Sequence, residues 1–179
     1  MYLLREGSAT TKKGGRKVQL LGSGTILREV MAAADLLEQD FGVVADIWSC
    51  PSFNELRRDG MATERWNLLH PSQTPRKSYV EQCLAGRSGP VVASTDYMRA
   101  FAEQIRPYVP GRFVCLGTDG FGRSDYRKAL RKFFEVDRHY VAVAALKALA
   151  DDNGIPSKKV EEAIKKYGID TERPPSWKC

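Results

Sequence analysis

The sequence has few of the residues that most often carry chemistry. Histidine occurs only as His70 and His139, and the four cysteines form no Cys-x-x-Cys pair. Structural zinc sites usually need clustered cysteine and histidine ligands, so the composition does not favour a metal centre. A Gly-x-Ser-x-Gly nucleophile elbow is missing, and neither a cysteine–histidine pair nor a carboxylate pair stands out. We therefore expect no catalytic, cofactor-binding or metal-binding residue in this chain.

Long apolar runs and basic blocks are also missing. No segment approaches the about 20 apolar residues of a transmembrane helix, and the N-terminal residues lack the apolar core of a signal peptide. The formal net charge is +6, yet no lysine or arginine block is longer than a pair. We expect neither a nucleic acid nor a membrane as partner.

Cys50 and Cys115 lie at predicted strand ends and are typical of small core residues in a reducing, cytoplasmic protein.

The sequence does contain a regular alternation of short apolar strands and amphipathic helices. Strand patterns at 18–21, 43–49, 90–94 and 112–117 are each followed by apolar residues at helical spacing. This alternation predicts an α/β protein: an open three-layer αβα sandwich with a mostly parallel sheet and right-handed crossovers. Residues 137–168 carry further helical patterns, and we expect this helical C-terminal tail to pack on one edge or face.

Helix boundaries are indicated by three residues. Gly42 follows the helical pattern at 24–40 and is expected to end that helix. Ser52 stands three residues before Glu55, the spacing of a capping box, and should begin a helix. Asp137 is expected to cap the helix that follows it.

A glycine-rich loop follows the strand pattern at 112–117 and precedes a helical pattern. Three glycines in six residues predict a backbone that turns sharply or passes close to another group. Binding sites in open α/β sheets lie at such strand ends. The loop is therefore the best candidate for a contact with a neighbouring domain or subunit. Its candidate contact residues are Gly117, Asp119, Gly120, Phe121, Gly122 and Arg123.

Asp119 does not complete the metal-binding motif of thiamine diphosphate enzymes. Thr118 stands where that motif has a glycine, and the next asparagine is Asn153, two predicted helices away. We interpret Asp119 as a residue that caps or braces its own loop, with Arg123 or Arg127 neutralising its charge.

Three arginines, the first of them in the loop, recur at every fourth residue. Arg123, Arg127 and Arg131 should share one helical face, with Lys128 and Lys132 nearby. Arg127 and Arg131 could form a basic face that grips an acidic partner, or the face could simply be solvated. The sequence leaves both interpretations open.

A second glycine turn, Gly22 to Gly24, could cradle a phosphate at a helix N-terminus. Leu27 stands where the dinucleotide fingerprint needs its third glycine, so a tight turn with a serine cap is favoured. Two alternative functions stay open at this point. One is an independent small-ligand or nucleotide-binding module that uses both glycine segments, and the other is a basic protein-interaction module.

Several stretches of the sequence together carry a resemblance to a known family. They are VQLLGSG at 18–24, ERWNLLHP at 64–71, VASTDYM at 92–98 and LGTDGFGRSD at 116–125, extended by FFEVD at 133–137 and VAVAAL at 141–146. In this order, over residues 17–170, they resemble the C-terminal domain of the homodimeric bacterial pyruvate dehydrogenases. Those enzymes belong to the transketolase-like thiamine diphosphate family.

The resemblance implies a fold of about five strands with one antiparallel edge strand. It also implies that thiamine diphosphate and Mg²⁺ bind to other domains of a longer parent enzyme, so that this chain alone should be inactive. Its role would be structural, in the homodimer and in support of the active site. Partners would be the other domains, the second subunit and, through the parent, the dihydrolipoyl acyltransferase core.

The resemblance also suggests domain limits. We expect a flexible entry segment at 1–16, the transketolase C-terminal-like domain at 17–170 and a loose tail at 171–179. Met1 would then be an internal residue of the parent enzyme. The glycine loop is interpreted as a contact with a neighbouring domain or subunit rather than as an active site.

Overall fold

A five-stranded sheet with helices on both faces organises the protein. The computed structural model describes residues 1–7 and 16–179. The strands are β1 (Tyr2–Arg5), β2 (Lys17–Gly22), β3 (Val44–Ser49), β4 (Val91–Ser94) and β5 (Phe113–Leu116). The helices are α1 (Leu27–Phe41), α2 (Phe53–Leu69), α3 (Tyr79–Leu84), α4 (Arg99–Glu103), α5 (Arg127–Phe133), α6 (Arg138–Asp151) and α7 (Lys158–Lys166).

The strand order is β1-β3-β2-β4-β5. Strands β2 to β5 pair in parallel, and β1 pairs antiparallel with β3 at the edge of the sheet. The predicted open α/β sheet with one antiparallel edge strand is confirmed. From β2 the chain moves outward to β3 and then returns past β2 to β4. The carboxyl ends of β2 and β4 therefore form the topological switch point, where α/β folds place their binding sites.

Strand β1 corrects the expectation of a flexible entry segment at 1–16. Residues 2–5 pair with β3, so that Leu3 lies opposite Trp48. The pairing partner is more than forty residues away along the chain, so the sequence around residues 2–5 does not show that they pair. Residues 8–15 of the expected segment lie outside the described residues.

The two faces of the sheet have separate cores because successive strand residues point to opposite sides. Leu20 and Ile47 pack against α1 and α6, whereas Leu21 and Trp48 pack against α2, α3 and α4. The connection from β2 to β3 and the connection from β3 to β4 run in opposite directions along the sheet. If both crossovers are right-handed, their helices must lie on opposite faces. The result is the predicted three-layer sandwich, with α6 and α7 completing the α1 side.

The predicted helix boundaries are confirmed at three residues. Gly42 ends α1 in the left-handed conformation with φ of 63°. The Ser52 side chain accepts a hydrogen bond from the Glu55 backbone at the start of α2. Asp137 accepts two backbone N–H groups at the start of α6.

Asp46 lies fully buried within β3 and connects several elements at once. Its carboxylate accepts hydrogen bonds from the Gly7 backbone at 2.9 Å and from Gln19 Nε2 at 3.0 Å. Lys17 Nζ lies 2.8 Å from Oδ1, and Arg87 lies 3.4 Å from Oδ2. Burial alone would raise the pKa of Asp46, but the hydrogen bonds from Lys17, Gln19 and Gly7 hold this pKa below its ordinary value. The network connects the end of β1 to β2, β3 and the segment before β4.

Glu29 has a similar role on the α1 face. Its buried carboxylate lies 2.8 Å from the Arg131 guanidinium and 3.0 Å from Arg138 Nε. The Arg138 backbone N–H donates to the same carboxylate at 3.0 Å. Burial raises the pKa of Glu29, yet the hydrogen bonds and charge of Arg138 and the charge of Arg131 leave it lowered overall. One side chain of α1 therefore holds both α5 and α6.

Replacing Asp46 by asparagine should make the free energy of unfolding less dependent on pH in the acidic range. Because the folded-state pKa of Asp46 is lowered, its contribution is complete above the ordinary carboxyl pKa of about 4 and is lost as pH falls through the folded value. Asp46→Asn should be less stable at neutral pH, and the gap to the unchanged protein should close on acidification. Denaturant melts between pH 2 and 7 measure this. The control is Asp35→Asn, which removes an exposed ion pair with Arg5 and should cost under about 0.5 kcal/mol at pH 7.

Replacing Glu29 by glutamine should destabilise the fold by about 1–3 kcal/mol, because two guanidinium groups lose their shared carboxylate. Equilibrium unfolding in urea measures the loss. The control is Glu162→Gln, which removes an exposed pair with Lys159 and should cost under about 0.5 kcal/mol. Equal losses in the two variants would show that Glu29 does not hold the helices together.

Candidate functional site

Three loops meet at the carboxyl edge of the sheet, at the switch point. They follow β2, β4 and β5, and hydroxyl groups bond them to one another. Ser23 Oγ donates to Thr95 Oγ1 at 2.9 Å, and Thr25 Oγ1 donates to the Asp96 carboxylate at 3.1 Å. Thr118 Oγ1 donates to the Asp96 carbonyl at 3.1 Å. The loops therefore hold one another in place without a ligand.

The turn from Gly22 to Gly24 is tight, as predicted, but it is not built around a serine cap. Ser23 makes no capping bond to the following turn, and its hydroxyl donates to Thr95 in the next loop. Gly24 has φ of +53°, and a Cβ there would lie 2.6 Å from Asp96 Oδ1. A carboxylate already lies against this turn, and its negative charge would repel a phosphate.

The Asp119 side chain braces the start of α4 rather than its own loop. Its Oδ1 accepts the Arg99 backbone N–H at 2.9 Å, and Arg99 Nε lies 3.2 Å from Oδ2. The expected partners were wrong: Arg99, rather than Arg123 or Arg127, neutralises the charge. With both carboxylate oxygens used, Asp119 does not offer the ligand that thiamine diphosphate and Mg²⁺ require. The residues at this loop do not fit that cofactor.

Two of the three loop glycines are required by contacts within the chain itself. A Cβ at Gly117 would lie 2.6 Å from the Arg99 backbone nitrogen and 2.7 Å from the Tyr97 carbonyl. A Cβ at Gly120, whose φ is +109°, would lie 2.7 Å from the Ser176 carbonyl. At Gly122 nothing lies within 4 Å. The close approach expected toward a neighbouring domain is therefore intramolecular at Gly117 and Gly120.

The C-terminal segment corrects the expectation of a loose tail at 171–179. Ser176 is buried and its hydroxyl donates to the Asp119 carbonyl at 2.6 Å. Arg173 donates to the Phe133 carbonyl at 2.9 Å and to Glu135 at 3.0 Å. The segment passes over α5 and ends against the glycine loop. Sequence reasoning missed this because the segment is short, polar and without periodicity.

Large apolar side chains surround the loop and face solvent. Phe121 is 86% exposed, and Tyr126 is 69% exposed. Tyr97 and Met98, in the loop after β4, are exposed to 58% and 45%. We call these four residues the apolar rim. Because exposed apolar side chains that group together mark interaction sites, the rim indicates a contact surface at the carboxyl edge.

The arginines do not form the single helical face that their spacing predicted. Helix α5 begins at Arg127, so Arg123 lies in the loop, where its guanidinium is 4.3 Å from the Phe133 ring. Arg131 points to Glu29. Arg127 remains exposed. The predicted basic face is therefore divided between a ring contact, an internal ion pair and one solvent-facing arginine.

The surroundings of the cysteines and of His70 indicate a structural role for these side chains. Burial raises the pKa of Cys50 to about 12 and also raises that of Cys115, so neither thiol is a ready nucleophile. His70 Nδ1 lies 2.8 Å from the Trp66 carbonyl, and the two rings stack at 4.3 Å. Within residues 1–7 and 16–179, no group of three histidine, cysteine or acidic side chains converges as a metal site would need. No helix among the same residues is long and apolar enough to span a membrane.

The strand order, the antiparallel edge and the three loops at the switch point define a class of domain. A family model for the transketolase-like C-terminal domain matches residues 1–137. The chain belongs to this family.

Individual relatives share one description, the pyruvate dehydrogenase E1 component. The protein of Pseudomonas aeruginosa is 66% identical over 174 residues, which cover 97% of this chain and 19% of that protein. The protein of Cupriavidus necator is 62% identical over the same shares. That of Escherichia coli K12 is 56% identical over 158 residues, or 88% of this chain and 18% of that protein. The chain spans about a fifth of the length of the relatives it matches.

Replacing Gly120 by alanine should loosen the C-terminal segment. The new methyl group meets the Ser176 carbonyl in a backbone conformation that disfavours side chains, so we expect a cost of about 1–3 kcal/mol. Hydrogen exchange should show faster exchange at 173–179 than in the unchanged protein. Gly122→Ala is the matched control, since its methyl group enters open space. Unchanged exchange in Gly120→Ala would mean that the loop and the C-terminal segment are not coupled.

Proposed function

We propose that this chain is the structural C-terminal domain of a thiamine-diphosphate-dependent pyruvate dehydrogenase. The parent enzyme would decarboxylate pyruvate and reductively acetylate lipoyl groups. This domain would support the homodimer and the architecture of the active site, without supplying a catalytic residue. The relatives, which carry that enzyme's name and are about five times longer, support the proposal.

The observation that carries the structural role is that the polar groups at the carboxyl edge bond to neighbouring segments of the chain. Asp96 holds the turn after β2, and Asp119 holds Arg99. The hydroxyls of Ser23 and Thr118 bond to neighbouring loops. A site for acid–base or nucleophilic chemistry needs polar groups directed at a substrate. Here these groups are directed at one another, which favours a rigid contact surface.

The contact surface would be the glycine loop together with the apolar rim. Phe121 is the most exposed residue of the rim, at 86%, and aromatic residues are enriched where interfaces are fully buried. The other domains or the second subunit of the parent enzyme would cover it. The acyltransferase core would then be reached through the parent enzyme rather than by this domain directly.

Thiamine diphosphate and Mg²⁺ would bind to the other domains. The proposed localisation is cytoplasmic, as the two buried free thiols, Cys50 and Cys115, favour a reducing compartment.

A domain exchange in the Pseudomonas aeruginosa enzyme tests the proposal. Its matching C-terminal residues are replaced by this chain, and pyruvate decarboxylation and subunit association are measured. The exchanged enzyme should be active, whereas the enzyme without these residues and this chain alone, with thiamine diphosphate and Mg²⁺, should be inactive. Full activity without the domain, or pyruvate decarboxylation by the chain alone, would refute the proposal.

Within the exchanged enzyme, Phe121→Ser should lower activity and weaken subunit association, because it removes the most exposed apolar side chain of the rim. Truncation of one buried interface aromatic typically costs about 1–4 kcal/mol. Leu68→Ser is the matched control. Leu68 is 77% exposed on α2, which leaves the carboxyl edge after β3, so that its C-terminal end lies toward the opposite edge. Equal effects of the two changes would exclude the rim as the contact.

A further inference from the structure

We propose that a basic groove across α5 binds an extended acidic segment of another polypeptide, with an apolar side chain between its carboxylates. This goes beyond the structural role above. The groove consists of two clefts. The first, of 330 Å³, lies between α5, the glycine loop and the start of α1. The second, of 670 Å³, lies between α5, α1 and the start of α6. Arg127 and Arg131 line both clefts, which makes them continuous.

Two cations in the groove are held in place before any ligand arrives. Glu29 binds both Arg131 and Arg138, at 2.8 and 3.0 Å. One carboxylate thus orients two guanidinium groups and neutralises only one of their charges. Because these side chains are already ordered, a carboxylate that binds them loses less conformational entropy than it would with mobile arginines.

Two further cations are exposed. Arg127 and Lys128 face solvent at the start of α5 and make no ion pair with any residue of the described chain. The second cleft is lined by these two residues and by Arg131 and Arg138, against the carboxylates of Glu29 and Asp137. The four cations therefore outnumber the two anions, and the second cleft is complementary to added negative charge.

The first cleft differs in chemistry because its floor is apolar. Its apolar lining residues are Ile26, Leu130, Phe134 and Val136, and its charged lining residues are Arg123, Arg127, Arg131 and Asp96, so three cations face one carboxylate. Such a pocket suits one aliphatic or aromatic side chain whose backbone neighbours carry carboxylates. A purely ionic ligand would leave this apolar surface unused.

The size of the two clefts favours a peptide over a compact anion. They adjoin along α5, because Arg127 and Arg131 line both, and they extend from Phe134 and the glycine loop on one side to Leu36 and His139 on the other. A phosphate or a single carboxylate between these arginines would leave most of the 330 and 670 Å³ of the two clefts empty. A five-residue extended peptide reaches about 16 Å, which is enough to place an apolar side chain in the first cleft and carboxylates in the second.

Fluorescence polarisation with a labelled peptide tests the proposal on this chain. The probe is Glu-Glu-Leu-Glu-Glu, and Gln-Gln-Leu-Gln-Gln is its neutral counterpart. We expect the acidic peptide to bind more tightly than the neutral one, with affinity falling as salt rises. Arg127→Glu combined with Lys128→Glu should weaken binding by about tenfold or more, because the reversed charges repel the peptide.

The matched control is Lys158→Glu combined with Lys165→Glu, two exposed lysines on α7 with the same change in net charge. This variant should bind within about twofold of the unchanged chain, since only long-range charge differs. Arg127→Gln with Lys128→Gln gives a second, milder variant, and thermal melts confirm that all variants fold. Equal loss in the α5 and α7 variants would overturn the proposal as a net-charge effect. Complete displacement by inorganic pyrophosphate at concentrations below that of the peptide would overturn it in favour of a compact-anion site.

Discussion

The ion pairs of Glu29 determine where the segment after β5 lies. Helix α5 has no fully buried residue of its own, so the hydrophobic effect alone does not place it. Arg131 joins α5 to Glu29, and Arg138 joins the start of α6 to the same carboxylate. Since α1 packs directly on the sheet through its buried residues, the position of α5 is set relative to the sheet by these two contacts. The glycine loop before α5 and both clefts beside it depend on that placement.

The C-terminal segment supplies the second constraint on the same region. Arg173 binds carbonyls at the end of α5, and Ser176 binds the glycine loop. The loop is thus held at Asp119 by Arg99 on one side and by Ser176 on the other. With the backbone fixed in this way, Phe121 projects into solvent from a supported loop. Apolar contacts made by a preorganised segment cost less ordering on association, which agrees with a joint between domains.

Local patterns were sufficient to predict most elements, whereas long-range polar contacts were not predictable. The apolar periodicity located the four parallel strands and the helices, and Gly42, Ser52 and Asp137 marked boundaries because capping is decided within a few residues. Strand β1 and the C-terminal segment depend on partners far away in sequence. Asp46 and Glu29 interrupt apolar patterns, and only the fold shows that cations from other elements surround them. The sequence spacing predicted that Arg131 lies near Arg127, but the ion pair with Glu29 sets the direction of the Arg131 side chain.

The position of the charges explains how a fold that commonly holds ligands at its switch point can serve as a scaffold. Asp96 lies against Gly24, where a phosphate would otherwise approach the turn. Asp119 is neutralised by Arg99, which removes an available carboxylate. Both carboxylates thereby hold neighbouring segments of the carboxyl edge together. Arg127 and Lys128, at the start of α5, instead make no ion pair with any described residue. Gly120, Gly122 and Arg123 of the glycine loop also line the first cleft, whereas residues of α5, α1 and the start of α6 line the second. The loop contact and the α5 groove therefore adjoin at the first cleft, and a neighbouring domain that covers the loop can leave the second cleft accessible.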